Sequence, residues 1–105
     1  MFSRPSICIP ILKEFTSKGD IVRGLQPYCL GEIANIDLVW KNYDGLHLQQ
    51  AFIHFKRWNV CNPVAEKIRC RLLANKSVNL MYSMPRFWHC EKSHTPRPVN
   101  QWLKI

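Results

Sequence analysis

Residues 51–58, Ala51-Phe52-Ile53-His54-Phe55-Lys56-Arg57-Trp58, alternate with a period of two and then run into two adjacent cations. A strand patterned this way buries Ala51, Ile53 and Phe55 on one face and presents Phe52, His54 and Lys56 on the other. An outer aromatic beside cations is the combination that stacks on an unpaired base while holding its phosphate. The pattern equally describes an ordinary half-buried strand whose Phe52 is covered by the chain's own tail.

The flanking sequence builds a domain around this strand, which extends over about 47–57. Upstream, Asn42-Tyr43-Asp44-Gly45 is a hairpin turn signal. Before it, Glu32 to Lys41 reads as a strand with Ile33, Ile36 and Leu38 inward and Asp37 and Val39 outward. Residues 7–12 form the first strand. Between the two, Ser17 and Asp20 make a capping box for a helix that buries Ile21 and Leu25, and Pro27 ends that helix near Gln26.

Downstream, Asn62-Pro63 opens a second helix whose apolar face is Val64, Ala65, Ile68, Leu72 and Leu73. Lys67, Arg69 and Arg71 are expected on its opposite side, and Asn75 as its left-handed cap. Val78, Leu80 and Tyr82 then alternate with Asn79 and Met81 in a fourth strand that stops before Pro85. The order β-α-β-β-α-β predicts an α+β, ferredoxin-like domain: a four-stranded antiparallel sheet, both helices on one face, the other face open.

That domain spans residues 1–84, and 85–105 reads as a basic, aromatic extension. Within it Phe87 and Trp88 either swing over the sheet or pack against the protein. Pro96 and Pro98 make an extended linker, and Trp102-Leu103-Lys104-Ile105 an apolar end suited to a partner protein through residues 93–105.

With 105 residues, 47% of them apolar, the chain suffices for one domain and a modest core without staples. No apolar run approaches the roughly 18 residues of a membrane span. Residues 7–12 lack a following small-residue cleavage site, so the expected location is intracellular rather than secreted. The net charge of +8 is one-sided: residues 1–55 hold five basic and five acidic side chains, residues 56–105 ten and two. Such a field attracts polyanions, whether RNA, DNA or an acidic protein surface. Five cysteines cannot all pair, and none forms a CxxC, which fits a reducing compartment and no structural zinc.

The element order, Gly31-Glu32-Ile33 before strand two, and Ala51-Phe52-Ile53-His54-Phe55 as strand three resemble the RNA-recognition motif family over about residues 6 to 84. More narrowly, Ile9-Pro10, residues 52–59 and Pro85-Arg86-Phe87-Trp88 look like small RRM-like proteins of large DNA viruses. That resemblance implies a viral protein in the host cytoplasm or nucleus, or associated with the virion. The family's central-strand motif falls on Leu48 to Phe55. It matches at Ala51, Phe52, Ile53 and Phe55 and fails at Leu48, Gln49 and Gln50. In the first strand Cys8 replaces the stacking aromatic. Phe52 is thus the one remaining platform of three, and each lost platform removes roughly 1–3 kcal/mol per base.

The inventory contains no Gly-rich phosphate loop, no nucleophile elbow, no paired carboxylates and no metal-ligand spacing, which argues against an enzyme. The expected function is binding of RNA or single-stranded nucleic acid, mostly through the backbone and without cofactor, by Phe52, His54, Lys56, Arg57, Gln50, Asn79, Arg86 and Trp88. The alternative is a protein-interaction module or a structural virion component, docking through the sheet face or the tail.

Overall fold

The computed structural model describes residues 2–12 and 15–93. Its elements are β1 (Ile7–Leu12), α1 (Lys18–Leu25), a 3-10 turn (Gln26–Tyr28), β2 (Gly31–Tyr43), β3 (Leu46–Trp58), α2 (Pro63–Leu73), β4 (Val78–Ser83) and β5 (Arg86–Lys92). The fold is α+β with an antiparallel sheet, as the patterning predicts, but the sheet has five strands rather than four, in the order β2-β3-β1-β5-β4.

The fifth strand is the correction. Pro85 was expected to end the sheet, because proline cannot donate to a ladder. Instead Met84 and Pro85 form a two-residue turn, and the chain returns as β5, which lies between β4 and β1. The sheet therefore continues past residue 84 into the expected extension. Trp88 and Cys90 alternate inward along β5 and are 4% and 0% exposed. Two buried apolar side chains on an inner strand outweigh the polar Asn79 and Ser83 of β4, which suit an edge.

Local signals place the helices. Ser17 accepts from the Asp20 backbone N–H while the Asp20 carboxylate accepts from the Ser17 N–H, the reciprocal capping box. Asn62 accepts from the N–H groups of Val64 and Ala65, with Pro63 at the first helical position. Asn75 follows α2 at φ 61°, and the Asp44-Gly45 turn has φ of 49° and 83°, as a two-residue hairpin requires.

Ile21 and Leu25 of α1 share one core with Ala65, Ile68 and Leu72 of α2 and with Ile7, Ile9, Ile36, Ala51, Ile53, Phe55, Leu80, Trp88 and Cys90 of the sheet. Both helices thus cover the same sheet face. Phe55 packs on Trp58 at 4.2 Å and Tyr82 stacks on Trp88 at 4.3 Å. One further correction concerns α2. Arg69 is not on the solvated side but buried, bonded to Glu66 at 2.8 Å and to the Arg4 carbonyl, with its guanidinium over the Phe2 ring. The segment before β1 is fastened here, Trp58 Nε1 donating to the Pro5 carbonyl and its backbone N–H to that of Phe2.

Candidate nucleic-acid interface

Residues directly opposite each other in a ladder share a face. Cys8 pairs with Phe52, Phe52 with Asp37, and Cys8 with Glu91, so one row across β2, β3, β1 and β5 reads Asp37, Phe52, Cys8, Glu91. This is the face that neither helix covers. Alternation adds Gln50 and His54 on β3, His89 and Phe87 on β5, and Asn79 and Met81 on β4, where Met81 pairs with Phe87 and Asn79 with His89.

Phe52 sits at the centre of this face and is half-buried. His54, one alternation away, is 1% exposed, its Nδ1 bonded to Ser6 Oγ at 2.8 Å and its Nε2 to Asp37 Oδ2 at 3.2 Å. Asp37 also accepts from Asn35. His54 therefore holds strand β3 to its neighbours, and its ring nitrogens are occupied by protein. Gln50 is nearly buried, and its Oε1 has no hydrogen-bond partner among the described residues. A buried acceptor in that state costs about 1–3 kcal/mol until a donor reaches it.

Lys56 and Arg57 are exposed, but both reach Glu32, at 3.6 and 3.1 Å. The Arg57 hydrogen bond, then the Lys56 charge, hold the Glu32 carboxyl below its ordinary range. This corner lies about 13–17 Å along β3 from Phe52. Arg57 also lines an open cleft of about 660 Å³ with Phe2, Trp58 and Cys61. Asn79 is exposed on the far edge strand, and Arg86 is exposed at the start of β5.

The expected site residues thus fall into separate groups. Phe52, Gln50 and His54 are brought together; Lys56 and Arg57 sit at one end of β3; Asn79 is three strands away; Trp88 lies in the core against Tyr82. In place of Trp88, its neighbour Phe87 occupies the helix-free face, 44% exposed. Once 86–92 is read as a strand, period-two alternation alone separates the two, burying Trp88 and turning Phe87 outward. Of the expected docking tail, 93–105, all but Ser93 lies outside the described residues.

Among the described residues no group of three or more His, Cys, Asp or Glu side chains could hold a metal, and no helix is long and apolar enough to cross a membrane. Comparison with known proteins returned no match, whether to a family model, a curated protein or a solved structure.

Proposed function

We propose that this chain binds RNA or another single-stranded nucleic acid, without catalysis, on the helix-free face of its sheet. The observation that carries this reading is the pair of aromatic side chains, Phe52 on β3 and Phe87 on β5, on the sheet face that neither helix covers, in a chain with net charge +8. Each ring is a stacking surface that any base can use. Asp37 beside Phe52, and Glu91 on the far side of Cys8, repel phosphate, which directs the backbone towards Lys41, Lys56 and Arg57 and keeps sequence discrimination low. The resemblance to RNA-recognition motifs implies the same face.

Those two carboxylates also favour a second reading, in which a protein segment docks on the face through Phe52, Phe87 and Met81. Chemical-shift mapping by NMR with a short uridine-rich RNA separates the two. Nucleic-acid binding predicts shifts at Phe52, Gln50 and Phe87 and none along α1 or α2. Shifts confined to the helices, or none at all, would rule out this interface.

A further inference from the structure

β2 ends the sheet, and its outer edge carries no strand among the described residues. It is 13 residues long and contains no proline. A long edge strand is a template for another strand unless proline, bulges or charges blunt it. The bulges of β2 lie at its start, between Glu32 and Asn35, and from Asn35 to Tyr43 its ladder with β3 is unbroken. Tyr43 and Leu46 flank a two-residue turn, and such a flanking pair exchanges both backbone hydrogen bonds. Lys41, Val39 and Asp37 accordingly bond to β3, while Ile36, Leu38, Trp40 and Asn42 turn their N–H and C=O groups outward.

The side chains along this edge complement themselves. When the regular stretch is laid antiparallel on a copy of itself about Val39, Asp37 falls opposite Lys41 of the second copy and Lys41 opposite its Asp37. On the helix side Leu38 falls opposite Trp40, again in both directions, and these are the residues whose backbone groups point outward. The charge that would otherwise blunt the edge, Lys41, thereby meets its counter-charge. Trp40 is 58% exposed and stacked at 6.4 Å on Phe15, itself 78% exposed, so large apolar surface lies beside the edge.

We propose that two copies of this chain pair antiparallel through the outer edges of β2, in the register centred on Val39. The contact is isologous and closes as a two-fold dimer. Directly opposed residues share a face, so the sheet continues from one copy to the next with both helix-free faces on the same side.

Sedimentation equilibrium of the full chain, without nucleic acid, tests this independently of the binding reading. The wild-type chain should show a monomer–dimer equilibrium. Lys41→Asp sets carboxylates opposite Asp37 at two places and should raise the dissociation constant roughly tenfold or more. Val39→Cys supplies a test of register that does not depend on that variant folding. Opposed residues of a non-hydrogen-bonded pair have Cα atoms about 4.5 Å apart, within disulfide reach. Mild oxidation should therefore give a covalent dimer in which mass spectrometry finds position 39 linked to position 39. Because Cys29, Cys61 and Cys70 are exposed, the linkage itself is the readout. A chain that sediments as a monomer at every concentration would overturn the proposal. So would a dimer that is indifferent to Lys41→Asp and yields no 39–39 linkage.

Discussion

The thiol of Cys90 is fully enclosed beside Trp88, and burial pushes it up to about 12. Cys8, next to Phe52 on the helix-free face, is pushed up to about 11, mainly by burial and then by the Glu91 charge, with Lys41 pulling the other way. Both are neutral at physiological pH. The unfolded thiol titrates near 9.0, so their contribution to stability is complete below that value and is lost as pH rises through about 11 and 12. At pH 8 the thiolate fraction of Cys8 should be about a hundredfold below that of an ordinary cysteine. Iodoacetamide followed by mass spectrometry should then modify Cys29, Cys61 and Cys70 first. Equal labelling of Cys8 and Cys61 would contradict the partial burial of the Cys8 thiol between its neighbours on the sheet. A half-buried thiol in place of an aromatic also leaves this position in β1 without a ring on which a base could stack.

At the scale of elements, α1 and the β4–β5 hairpin are locked together by one glycine. A Cβ on Gly24 would fall into the Trp88 ring and lie 3.0 Å from the Tyr82 Cβ. Gly24→Ala should cost about 1–3 kcal/mol through overpacking, and Trp88→Ala about 3–5 kcal/mol through the cavity it leaves. Urea denaturation measures both; a Gly24→Ala chain as stable as wild type would mean that α1 is not seated on Trp88. Most elements are legible in the sequence because their signals are local. The Ser17–Asp20 box, Asn62-Pro63, Asp44-Gly45 and the alternation of 51–55 each specify a cap, a turn or a strand with no help from elsewhere. The fifth strand is not, because Pro85 imitates a terminator where it in fact sits in a hairpin turn, which brings residues 86–92 back along β4 with their far end against β1. The burial of Arg69 escapes for a different reason, since Phe2 and the Arg4 carbonyl reach it from the opposite end of the chain. The site suffers accordingly, Phe52 and Gln50 being placed by pattern and Phe87 displaced by Trp88.

For the whole molecule, charge and sheet face make a joint prediction. The excess of cations is confined to residues 56–105, whereas the row through Phe52 carries two carboxylates. Binding should therefore combine a strong, unspecific electrostatic attraction with a modest stacking increment. Fluorescence anisotropy of a labelled single-stranded RNA against the full chain at low and high salt, with Phe52→Ala and Phe87→Ala in parallel, measures both components at once. Log affinity should fall with log salt by about 0.7 per phosphate contact. Each substitution should remove about 1–3 kcal/mol while leaving that slope unchanged. Affinity that ignores salt, or that survives loss of both aromatics, would contradict nucleic-acid binding on this face.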